Sequence, residues 1–139
     1  MTASDDPLAI TYVDPRLFAS SLKKLSKNRA MATYLAISEL LAKEGKALVA
    51  TDWLRYIESD IWEFRIGKTT SSIYSRAGIS KPPGHVHETL LVRVFCSFQG
   101  ESLVLLITAY DKGADASSKR QQAEIAKARS LLVDWKANH

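Results

Sequence analysis

Three cationic side chains lie near or inside three apolar runs: Arg65 in Asp60-Ile-Trp-Glu-Phe-Arg65, Arg93 in Leu90-Leu-Val-Arg-Val-Phe95, and Lys112 at the end of the run from Leu103. Such runs read as strands, in which alternate residues point to opposite faces of a sheet. Trp62, Phe64 and Ile66 then share one face, opposite Glu63 and Arg65. Leu90, Val92, Val94, Cys96 and Phe98 form an apolar face opposite Arg93. In the third run Leu103, Leu105, Ile107 and Ala109 oppose Val104, Leu106, Thr108, Tyr110 and Lys112. The alternation predicts an apolar face in all three strands and an open face that collects Arg65, Arg93, Tyr110 and Lys112. Arginine offers phosphate oxygens a fixed fork of donors, and lysine adds a movable point charge. On an RNA ligand the same groups suit strand cleavage. The 2′-hydroxyl must lose a proton, the phosphorane must have its charge stabilised, and the leaving 5′-oxygen must gain a proton. Tyr110 and Lys112 are the candidates for proton transfer, and Glu63 is the one nearby carboxylate. The competing reading is arginines that snorkel at a solvated sheet face.

Four further cations, Lys119, Arg120, Lys127 and Arg129, fall on the last helical stretch, where they suit a nucleic-acid backbone or simply solvate a helix. His85-Val-His87 puts two imidazoles on one side of an extended segment, with only Glu88 or His139 as a further ligand, so a solvated loop is the favoured reading and neither a metal nor a cofactor is expected. Trp53, Trp62 and Trp135 read as core rather than as base-stacking platforms. There is no glycine-rich phosphate loop, nucleophile elbow or zinc-ligand spacing.

A chain of 139 residues, 46% hydrophobic and 24% charged, has the composition of a single globular domain spanning 1–139. The net charge of +4 leans toward an anionic partner. One cysteine, Cys96, precludes an intrachain disulfide and suits a reducing cytoplasm; no run reaches the ~18 apolar residues of a membrane span. Residues 1–7 read as frayed and Leu8 to Val13 as a short strand. Asp14-Pro15 reads as a helix start, Asn28 as the cap of a second helix that Gly45 ends, and Ser118 with Gln121 as a capping box. The stretch from Ala47 to Ser59 has no clear type, and 67–88 reads as a long loop. The order β-α-α-β-β-β-α predicts an α+β fold, a small, mostly antiparallel sheet covered on one face by a helical hairpin.

The succession Phe18-x-x-x-Leu22-x-x-Leu25, Leu40-x-x-x-x-Gly45, Ile61-Trp-Glu-Phe-Arg65, Val92-Arg-Val-Phe95, Val104-Leu-Leu106, Tyr110-x-Lys112 and Ile125-x-x-Ala128 resembles the RelE/ParE toxin superfamily, most of all its HigB-like, phage-derived branch. The resemblance covers roughly Ile10 to Trp135. It implies a RelE-like fold, a cytoplasmic toxin neutralised by a cognate antitoxin, and metal-independent cleavage of mRNA in the ribosomal A site. By position, Arg65 and Arg93 match the branch's strand arginines and Lys112 the lysine after its last strand. Two departures stand out: Lys112-Gly-Ala-Asp-Ala-Ser-Ser118 carries fewer cations than the usual continuation, and the 67–88 loop is longer. The alternatives are a non-enzymatic ParE-like gyrase inhibitor and a non-toxic interaction module; neither needs a cationic cleavage face.

Overall fold

The computed structural model describes residues 6–139, so most of the segment read as frayed lies outside the described residues. Among the described residues, a five-stranded mixed sheet with helices on both faces forms an α+β fold. The strands are β1 (Ala9–Tyr12), β2 (Leu54–Glu58), β3 (Ile61–Thr69), β4 (Thr89–Gln99) and β5 (Leu103–Asp111), in the spatial order β1-β5-β4-β3-β2. Only the β1–β5 pair is parallel.

Asp14 caps α1 (Pro15–Ser21) by accepting from the amides of Arg16 and Leu17, with proline at the first helical position as its fixed φ favours. The next helix, α2 (Lys27–Ala36), is capped two residues before the expected Asn28. Ser26 accepts from Arg29 N, while Asn28 lies inside the helix and donates instead to Glu88 at 2.8 Å. The helix continues through a π-helical turn (Ile37–Leu41) into α3 (Ala42–Glu44), and Gly45 stops it at φ 54°. A Cβ there would also come within 3.2 Å of Leu8 Cδ1, so two constraints favour glycine.

The untyped stretch 47–59 resolves into the end of a 3₁₀ turn (Gly45–Ala50) and the extra edge strand β2. Ser59 and Asp60, with φ of 47° and 66°, make the left-handed two-residue turn into β3 that a twisted hairpin requires. The segment read as a long loop is largely ordered: β3 runs on to Thr69, whose hydroxyl caps α4 (Thr70–Ala77). The buried Thr70 hydroxyl then fastens the return, donating to Val86 O at 2.9 Å and accepting from Glu88 N at 3.0 Å. The capping box moves as well. Ser117 caps α5 (Ser118–Ala137) through Arg120 N, and Gln121 is left for another partner.

Each sheet face has its own core. The larger lies under α1, α2 and α4, where Phe18, Leu41 and Ile73 pack against Phe64, Ile66 and Val94. On the other face, expected to be open, α5 lays Ile125, Ala128 and Leu132 over Ile61, Phe95 and Leu105. The alternation in β5 also breaks. Phe95 pairs with Thr108 while Cys96 pairs with Leu106, so Ile107 is an extra residue at a β-bulge. Leu105 and Ile107 therefore join Tyr110 on the α5 side, and Val104 and Leu106 join Ala109 on the other.

Candidate functional site

The cationic residues gather at the end of the second face that the apolar part of α5 leaves uncovered. Arg65 pairs across the sheet with Arg93, and Arg93 with Tyr110, so three adjacent strands place them side by side. Two residues past Tyr110, Lys112 follows as the chain leaves β5 and returns to β4 through Gly113 N to Leu91 O, 3.2 Å. Arg65 is one-third exposed, Lys112 is half-buried, and Arg93 is 6% exposed. A pocket of ≈ 230 Å³ between Arg65, Gly67, Lys68, Leu91 and Arg93 connects Arg93 with the surface.

The alternation placed Glu63 on this face but gave no sign of its surroundings. Its carboxylate is buried, with Arg55 Nη2 at 3.4 Å, Arg65 Nε at 3.5 Å and Gln121 Nε2 donating at 3.0 Å. The two arginines are near enough for charge attraction but not aligned as hydrogen bonds, so Glu63 Oε1 and Arg65 Nε have no hydrogen-bond partner. Arg93 Nε, Thr108 Oγ1 and Tyr110 Oη are buried on the same face in the same condition. Buried polar atoms almost always find partners, so five together set this face apart from the apolar one. Glu63, with Asp52 also lining the pocket, is outnumbered by Arg55, Arg65, Arg93 and Lys112, which leaves the cluster with excess positive charge.

That environment moves the titrating groups in opposite directions. Burial, then the charge of Arg93, lowers the Lys112 ammonium from its ordinary range, with Glu63 pulling the other way. Burial, then the Glu63 carboxylate, raises the Tyr110 phenol, so the clustered cations do not acidify it. Burial also draws Arg93 down, opposed by Glu63. Lys112 is thus suited to accept a proton and Tyr110 to remain a donor.

Helical spacing sorts the α5 cations. Gln121, Ile125, Ala128 and Leu132 face the sheet, so Arg129 turns toward Glu58 and grips it with two bonds of 2.9 and 2.7 Å. Arg120 bonds Glu124 at 3.0 Å and lies 5.3 Å from the Tyr110 ring centre. Lys119 and Lys127 are exposed. The four are not one tract. The histidines serve the 67–88 segment: His85 meets the Thr70 hydroxyl at 3.1 Å and His87 the Ser71 hydroxyl at 2.6 Å. Among the described residues no group of three or more His, Cys, Asp or Glu could hold a metal. Trp53 is core, stacked on Phe64, whereas Trp62 and Trp135 are only partly buried. Burial pushes the Cys96 thiol far above its usual range, so it is an inert core group. No described helix is long and apolar enough to cross a membrane.

Comparisons of the chain with protein-family models, curated proteins and solved structures give no match.

Proposed function

We propose that the protein is a metal-independent endoribonuclease that binds an RNA phosphodiester against Arg65 and Arg93. The observation that carries this reading is the register that sets Arg65, Arg93 and Tyr110 on three neighbouring strands with Lys112 beyond them. The neutral Lys112 amine takes the proton of the 2′-hydroxyl as its oxygen attacks phosphorus. Arg65 and Arg93 balance the charge on the phosphorane oxygens. The bond to the 5′-oxygen breaks, and that oxygen takes a proton from the Tyr110 phenol or from water. The products are a 2′,3′-cyclic phosphate and a 5′-hydroxyl. General acid–base transfer of this kind contributes about 10²–10⁴-fold to a rate, and each aimed cationic donor a comparable factor. The resemblance to RelE/ParE toxins extends the proposal: a RelE-like type II toxin that cuts mRNA on the ribosome and is held silent by a cognate antitoxin in the cytoplasm.

The test is single-turnover cleavage of ribosome-bound mRNA, with product ends analysed and thermal melts run beside it. Cleavage that resists EDTA, leaves cyclic phosphate ends and collapses in the Arg93→Ala/Lys112→Ala protein supports the reading. Full activity in that folded double variant rejects it and moves the assignment to a toxin that acts by binding alone.

A further inference from the structure

The α5 side chains that face neither the sheet nor the β2–β3 turn form a second basic surface. Arg120, Glu124 and Lys127 recur at i, i+4 and i+7, so they line one side of the helix, the side that looks toward α1. Across from them stand Lys23 and Lys24, just past the end of α1. The cleft between the two walls has a volume of ≈ 410 Å³ and a floor of small or apolar residues, Leu17, Ala109 and Ala114. Two carboxylates border it, and both are engaged: Glu124 holds Arg120, and Asp111 Oδ1 accepts the Gly113 amide at 2.9 Å. Lys23, Lys24 and Lys127 have no carboxylate partner among the described residues, in contrast to Arg129 and Lys136 on the same helix, which are paired with Glu58 and Asp60.

We infer that this cleft is a phosphate-backbone subsite for single-stranded RNA, formed by Lys23, Lys24 and Lys127. The inference rests on the ribonuclease reading for its ligand class and deepens it. Three charges on long flexible stems, converging from the turn after α1 and from α5, suit a chain of phosphates whose positions vary, whereas arginine forks suit one fixed phosphate. Small side chains at Ala109 and Ala114 leave room for a sugar–phosphate strand. Arg120 links the cleft to the candidate cleavage site, since it lines the cleft and lies over the Tyr110 ring. A strand held here passes Arg120 on its way to Tyr110, so the subsite supplies register to the cleavage centre.

The experiment titrates a fluorescein-labelled, fully 2′-O-methylated 12-nucleotide RNA, which cannot be cleaved, against the full chain by anisotropy between 50 and 300 mM KCl. Wild type, Lys23→Ala/Lys24→Ala/Lys127→Ala and the charge-matched control Lys43→Ala/Lys81→Ala/Lys136→Ala are compared, with melts to establish that each is folded. Each single-strand phosphate contact contributes about 0.7 to the slope of log affinity against log salt, so the cleft variant should lose about 2 from the slope while the control keeps most of it. A cleft variant with the control's slope, a wild type that does not bind, or lysine-dependent binding to vesicles containing phosphatidylserine without RNA binding would each overturn the assignment. Should the cleft variant misfold, Lys23→Gln/Lys24→Gln, which leaves α5 intact, should still lose about 1.4. Because this RNA is uncleavable, failure here is separate from failure of the ribonuclease reading, which the Arg93/Lys112 variants decide.

Discussion

Under α1, α2 and α4 the sheet presents Phe64, Ile66, Val92 and Val94, and among the described residues no buried side-chain polar atom on that face lacks a hydrogen bond. Under α5 the same strands present Glu63, Arg65, Arg93, Thr108 and Tyr110, and each of these has a buried atom without one. The first face is filled as a core is filled, by apolar side chains that exclude water. The second is filled that way only where Ile125, Ala128 and Leu132 reach it; beyond Gln121 it keeps charges that burial disfavours. A chain selected for stability alone would put leucines there, as buried ionic clusters are often no more stable than apolar replacements. The contrast identifies one face with holding the fold and the other with the chemistry proposed for it.

The largest effect should come from the first face. Phe64→Ala removes a fully buried ring and should cost about 3–5 kcal/mol of unfolding free energy in urea melts. Arg93→Ala should do the reverse, slowing cleavage by about 10²-fold while losing less stability than Phe64→Ala. Equal destabilisation by the two substitutions, with no specific loss of cleavage, would erase the contrast.

The pH profile sharpens it. Lys112 works as a base only when neutral, and its ammonium titrates below the ordinary lysine range. The single-turnover rate should therefore rise with pH and level off below that range. Glu63→Gln removes a charge that raises the Lys112 pKa, so the rising limb should move to lower pH. A limb unmoved by Glu63→Gln would mean that Lys112 is not the titrating base.

The smallest effect lies at the rim of the first face. Glu88 accepts from Asn28 and Ser26 and pairs with Arg29 at 3.3 Å, and the Asn28 bond is the main cause of its lowered pKa. A carboxylate with a depressed folded pKa contributes stability above its unfolded value and loses it as pH falls through the folded one. Acid melts of Glu88→Gln should thus show less dependence on pH than wild type in that window, with cleavage unaffected.

Arg65 and Arg93 were legible as neighbours because both sit in regular antiparallel strands, where counting by twos is reliable. The same count failed in β5, since one extra residue at Ile107 puts Leu105 and Ala109 on opposite faces and no residue type announces it. Helix α4 was missed because it is eight residues long with two buried apolar side chains, Ile73 and Tyr74, too few for a periodic signal. The cap positions slipped because Ser26 and Ser117 compete locally with Asn28 and Ser118, and only backbone geometry decides among adjacent polar residues. Cover by α5 could not be read from Ile125, Ala128 and Leu132, because an apolar stripe does not say which face it meets. Nothing in the sequence marks Lys23 and Lys24 for a similar reason: their wall only becomes a wall once α5 lies opposite.

The bulge at Ile107 acts as a change of reading frame within the strand. Residues before it and after it keep separate parities, joined by one spare position. Deleting Ile107 would cancel the spare and leave Thr108 opposite Phe95 and Tyr110 opposite Arg93, so the cationic face should survive the loss of a residue. Deleting Ala109 has no such slack: with Thr108 still opposite Phe95, Tyr110 would fall opposite Val94, on the apolar side. Two single-codon deletions two positions apart should therefore have opposite fates, and the tolerant one lies in the most buried stretch of the strand.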